Sequence, residues 1–167
     1  MQALLKTLYD IALLRKGPDA IPRSLILLVM AAALWVFASL ASLALGEQHD
    51  EAEFAINQFT VLIALVAYAA IIVVTGYGPR VLQAVSAVLG CGALISLLAI
   101  AELVLLVPFL GKTPAGIVAW LTTLWSVPVE GHIMARAINA HWYVGIVIAI
   151  AVFVLQHAVY GTMTASS

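Results

Sequence analysis

Apolar residues run almost unbroken through five stretches of the chain, roughly 24–46, 56–76, 81–108, 116–138 and 142–163. A transmembrane helix needs about 20 consecutive, mostly apolar residues, so each stretch is long enough to cross a bilayer. Polar punctuation separates them: the acidic "EQHDEAE", then "GYGPR", "GKTPAG" and "NAHW". Glycine and proline mark three of these four breaks, as expected where a helix must stop and turn. The last three links are short, so the spans they join are predicted to be antiparallel neighbours. Upstream, Leu4, Leu5, Leu8, Ile11 and Ala12 recur at helical spacing with Lys6, Asp10 and Lys16 around them. That pattern predicts an amphipathic helix over 3–15 lying in the headgroup region, ended by Gly17-Pro18 and Pro22. The expected fold is an all-α integral membrane protein. It divides into a cytoplasmic amphipathic lead (1–23), a five-helix transmembrane domain (24–163) and a short outer tail (164–167).

Composition reinforces the pattern. The chain of 167 residues is 65% hydrophobic and only 9% charged, whereas a soluble domain carries about a quarter charged residues. A net charge of -1 offers no basic patch for nucleic acid. The position of the cations matters more than their sum. Lys6, Arg15, Lys16 and Arg23 precede the first span, Arg80 follows the second, and Arg136 lies near the fourth-to-fifth link. With five spans all six fall on one side, which the positive-inside rule makes cytoplasmic, and only Lys112 falls opposite. The N-terminus is therefore expected inside and the C-terminus outside. Lys6 and Asp10 interrupt the first apolar run and no small-x-small cleavage site follows, so the lead is not expected to be a signal peptide.

Ionisable groups within a span are functional candidates because lipid makes them expensive. The fourth span holds several in "LWSVPVEGHIMARAI". At 1.5 Å per residue, Arg136 lies ~3 Å from the inner boundary, His132 ~9 Å and Glu130 ~12 Å. Arg136 can snorkel to the headgroups; Glu130 is too short and too deep. Residues two apart on a helix point about 200° apart, so Glu130 and His132 face nearly opposite ways. Pro128 removes a backbone donor and crowds the Leu124 carbonyl, and Gly131 loosens the next turn, so a kink or short unwound stretch is expected. The third span offers small and polar residues at matching depth, Gln83, Ser86, Ala87, Gly90 and Gly92, against which Glu130 is expected to pack and hydrogen-bond. The candidate polar seam is thus Glu130, His132, Arg136, Gln83 and Ser86, with Pro128 and Gly131 as its kink.

Other candidates fare worse. Glu102 falls near the outer interface and is expected to be solvated. His157 and His132 differ in depth by too much to share one haem, and zinc needs three or four converging ligands. Neither a metal nor a cofactor is therefore expected. His157 reads with Gln156 and Tyr160 as a polar patch near the outer leaflet, and Cys91 as a small buried apolar residue. HExxH, GxSxG and Walker signatures are absent, so an enzyme is not expected.

The lead "LYDIALLRKGPDAIPRS" followed by five spans resembles the Yip1-like membrane proteins, in particular small bacterial inner-membrane relatives. The segments "LRKGPDAIP" and "LWSVPVEGHIMARAI" carry the likeness, while the "DLYGP" element of the eukaryotic family is missing and "GYGPR" only echoes it. The resemblance implies a bacterial inner-membrane location and a non-enzymatic role in organising membranes. Two functions compete. The first is a scaffold or accessory subunit, with the bilayer and another membrane protein or a second copy as partners. The alternative is a small proton-coupled transporter or conducting protein using Glu130. Water reaching Glu130 favours the second; a packed and bonded Glu130 favours the first.

Overall fold

The computed structural model describes residues 2–45 and 51–165, and within them it is helical throughout with no strand. The acidic link at 46–50 and the last two residues of the expected tail lie outside that description. Helix α1 spans Gln2–Ala12, α2 Leu25–Leu45, α3 Glu51–Val74 and α4 Val81–Leu110. Then come α5 at Lys112–Leu124, α6 at Ser126–Ala137 and α7 at Trp142–Thr164.

Four helical segments are long and apolar enough to cross a membrane: Leu25–Leu45, Phe54–Val74, Gly78–Leu110 and Trp142–Thr164. Their outward faces are rich in exposed large apolar side chains such as Ile26, Val66, Val74, Phe109 and Val147. In water such a surface would aggregate; in lipid it is the expected one.

The stretch expected to form one fourth span is instead two short helices, α5 and α6, that meet at Trp125. Pro128 accounts for the position of the break. Its ring crowds the carbonyl four residues back, that of Leu124, where α5 ends. The break therefore falls one turn before Pro128, at the carbonyl that its ring crowds.

Gly131 has a different task from loosening a turn. It lies inside an unbroken α6 and is fully surrounded, and a Cβ there would come within 2.6 Å of Ile146 Cδ1 and 2.9 Å of its Cα. Facing it, a Cβ on Gly145 would run into the Gly131 carbonyl and lie 2.8 Å from Ala135 Cβ. Glycine against glycine lets α6 and α7 touch backbone to backbone, a small-residue contact of the kind that joins membrane helices.

Turns between helices use the residues their backbones require. Gly76 at φ +88° closes α3, and Pro79 opens the helical turn that leads into α4. Gly111 at φ +82° separates α4 from α5. Asn139 at φ +53° ends α6, with Ala140 donating its N–H to the Ala135 carbonyl. Arg80 reinforces that end by donating to the carbonyls of Arg136 and Ala137, both at 3.1 Å.

Helix α4 is the hub, packing against α1, α2, α3, α5 and α6. The amphipathic stripe of α1 turns towards protein. Leu8 and Ile11 are buried at 1% and 0% exposure in a core shared with Ala87, Cys91, Ile133 and Met134. The small surface of α4 receives this lead: a Cβ on Gly90 would lie 2.7 Å from Leu8 Cδ2. At Gly90 that surface, expected to face span four, meets α1, while α4 also packs against α5 and α6.

Candidate functional site

The polar seam read from the sequence separates into two groups. His132, Gln83 and Arg136 hold the lead. The His132 Nε2 lies 3.0 Å from the Lys16 carbonyl, and Gln83 Nε2 donates to the Ile21 carbonyl at 2.6 Å. Gln83 Oε1 accepts from Arg23 Nε at 3.3 Å. The exposed Arg136 lays its stem beside Gly17. Ser86 is buried and donates to the Leu82 carbonyl of its own helix at 2.7 Å. His132 and Pro128 also line a small apolar hollow of about 210 Å³ with Leu14, Trp142 and Ile146.

Glu130 points elsewhere. Its Oε2 accepts a hydrogen bond from the Tyr68 hydroxyl at 2.5 Å. The expected partner was α4; the actual one is α3, because the rotation of α6 around its contact with α7 aims position 130 past α4. Tyr68 is 1% exposed and one of the largest fully buried side chains. A phenol inside an apolar bundle must find an acceptor, and Glu130 supplies it.

Together these two residues form one end of a cavity of about 680 Å³. It lies among α2, α3, α4, α5, α6 and α7, and residues 4–23 contribute nothing to its wall. Its lining on α3 runs from Phe54 to Tyr68, which at 1.5 Å per residue is ~21 Å of helix. The far end, marked by Ser42, Phe54, Leu103 and Tyr160, lies away from the α3–α4 and α6–α7 turns.

The wall mixes aromatic and polar groups. Ser39, Asn57, Gln58, Ser96, Thr123 and Ser126 line it, and α7 adds Gln156, His157 and Tyr160. Several of the polar groups are spoken for. Thr60 donates to the Asn57 carbonyl at 2.8 Å, Gln156 to the Thr60 carbonyl at 3.4 Å, and His157 Nδ1 lies 2.9 Å from the Phe153 carbonyl. Gln58 Oε1 is buried with no hydrogen-bond partner. The patch of Gln156, His157 and Tyr160 expected on α7 is therefore part of the cavity.

Among the described residues, Glu130 is the only carboxylate that lines the cavity, and neither lysine nor arginine lines it. A carboxylate in a low-dielectric site without a counter-cation is costly, so it holds a proton or draws a cation. Chemically the arrangement can therefore exchange a proton or bind a positive group at one end of a roomy, partly polar chamber.

Glu102 departs from its expected solvated position. It accepts from the Thr122 hydroxyl at 2.9 Å, tying α4 to α5, and its Oε2 is buried without a partner. Cys91 is buried as expected, with its thiol 3.5 Å from the Leu8 carbonyl. Among the described residues no three His, Cys, Asp or Glu side chains converge as a metal site would require. Tyr68 was missed in the sequence, although a lone tyrosine in the aliphatic run "VLIALVAYAAIIVV" signals a hydroxyl that needs a partner inside the membrane. No family model, curated protein or solved structure matches the chain.

Proposed function

We propose that the chain is a small proton-coupled membrane transporter of five spans, in which α5 and α6 together make the fourth crossing. One observation carries the reading: among the described residues, Glu130 is the one carboxylate lining a 680 Å³ cavity, and no lysine or arginine lines it. A membrane protein that only fills space has no use for an uncompensated acid at the end of a chamber. On this reading the cations of the lead, Arg80 and Arg136 face the cytoplasm, as in a bacterial inner membrane, and the cavity lies towards the outer leaflet. The protein acts without covalent chemistry on its solute and is not an enzyme.

A second reading, a Yip1-like scaffold or accessory subunit, draws on the Tyr68–Glu130 hydrogen bond, which also packs the acid between α3 and α6. Purified protein in vesicles with an imposed pH gradient separates the two. The transporter passes protons, and Glu130→Gln does not. A scaffold passes none in either form.

A further inference from the structure

We infer that the 680 Å³ cavity is a binding site for a monovalent amphiphilic organic cation, a tertiary or quaternary ammonium, or its phosphonium equivalent, with an apolar body. This names the substrate class of the transporter proposed above and rests on that reading of the cavity.

Three observations converge on this class. The first is charge. Among the described residues Glu130 supplies one negative group, and no lysine or arginine lines the cavity to answer it, so a single positive charge is the complement. An anion entering the same space would meet the carboxylate with no compensating cation.

The second is the wall. Trp35, Phe54, Tyr68, Trp120, Phe153 and Tyr160 all line the cavity. Aromatic faces attract cations through the ring quadrupole, and they also bury apolar groups. A small hydrated ion would use little of such a wall. A cation wrapped in hydrocarbon uses all of it, and about 680 Å³ falls within the ~300–1,000 Å³ usual for a drug-sized ligand.

The third is access. Helices α2 and α3 both line the cavity, yet α2 packs on α4 while α3 packs on α7 and α4, with no extended α2–α3 contact among the described residues. The same holds for α5 and α7. The cavity is therefore flanked by gaps between apolar helices that face the hydrocarbon. A molecule that dissolves in the bilayer can enter sideways; a sugar or a metal ion cannot.

The test uses full-length protein purified in mild detergent and two probes of matched shape and opposite charge, tetraphenylphosphonium and tetraphenylborate. Equilibrium dialysis should give saturable phosphonium binding and none of comparable affinity for the borate. Glu130→Gln should weaken phosphonium binding about tenfold, and a Trp35→Ala/Trp120→Ala double variant, which leaves the acid in place, by a similar factor. The double variant keeps the test decisive if the Gln variant folds poorly. Equal affinity for both ions, or unchanged phosphonium affinity in both variants, overturns the cation site. Proton flux that depends on Glu130 would then leave the transport reading standing with another solute. Conversely, charge-selective binding in a protein that passes no protons upholds the site and removes transport.

Discussion

The indole Nε1 of Trp125 donates to the Ala12 carbonyl at 2.9 Å, so the residue at the α5–α6 break is held by the last residue of α1. Three further contacts extend this clamp: His132 on the Lys16 carbonyl, Gln83 on the Ile21 carbonyl, and Leu8 against Gly90. The lead thus grips α4 and α6 on the side away from the cavity. Trp125→Phe removes the donor while keeping an aromatic ring, and should cost about 1 kcal/mol of lead docking. Hydrogen exchange over residues 2–16 should quicken while α3 and α7 stay protected. Uniform quickening across the bundle would show that the contact is not local.

Asp10 gives the same clamp a pH dependence. Lys16 approaches its Oδ2 at 2.7 Å, and that hydrogen bond holds the carboxyl below its ordinary value of 3.8. A carboxyl lowered in the folded state contributes its full stabilisation above its unfolded value, and loses it as pH falls through the lower folded one. Lead protection should therefore be flat above about pH 5 and decline below about pH 4. The decline should be small, because the Lys16 side chain stands open to solvent. Asp10→Asn should be insensitive over the same range.

Two glycine-to-alanine substitutions should differ sharply. At Gly145 the new methyl would collide with the Gly131 carbonyl, and α6 would have to move away from α7, at a cost of about 3 kcal/mol. At Gly92 nothing lies within 4 Å, so alanine should be neutral or gain up to about 1 kcal/mol of helix propensity. Thermal denaturation in detergent compares them directly.

Membrane orientation can be read with single cysteines, because the native Cys91 is buried and should stay silent to impermeant reagents. Cysteines at positions 16 and 139 should label only from the cytoplasmic side, and one at 112 only from outside. Labelling of 112 and 139 from the same side would remove the fourth crossing by α5 and α6.

Hydropathy made four helices legible almost to their ends. The stretch 81–108 became Val81–Leu110 and 142–163 became Trp142–Thr164, since an apolar run of that length has one low-energy form in lipid. The break in the fourth stretch was legible as well, in Pro128 and the Leu124 carbonyl that it crowds. Two things were hidden. An amphipathic stripe has the same periodicity whether it meets lipid or protein, so the docking of Leu8 and Ile11 on α4 left no mark in the sequence. Depth arithmetic placed Glu130 level with Ser86 but could not fix the rotation of α6. Gly131 and Gly145 set that rotation through a contact between backbones, and it turned Glu130 towards Tyr68.

The central claim is that Glu130 serves the cavity as an exchangeable acid and not merely as a packing group. Glu130→Gln keeps the size and the hydrogen-bonding capacity that Tyr68 requires, while removing the proton. Glu130→Leu removes both and leaves the Tyr68 hydroxyl unpaired, which should cost about 1–3 kcal/mol. The decisive measurement is proton flux in reconstituted vesicles alongside melting temperature, for wild type and both variants. The account predicts flux in wild type only, with the Gln variant melting with wild type and the Leu variant lower. Flux no greater than that of protein-free vesicles in wild type, with the Gln variant equally stable, would contradict it and leave Glu130 as a packing residue.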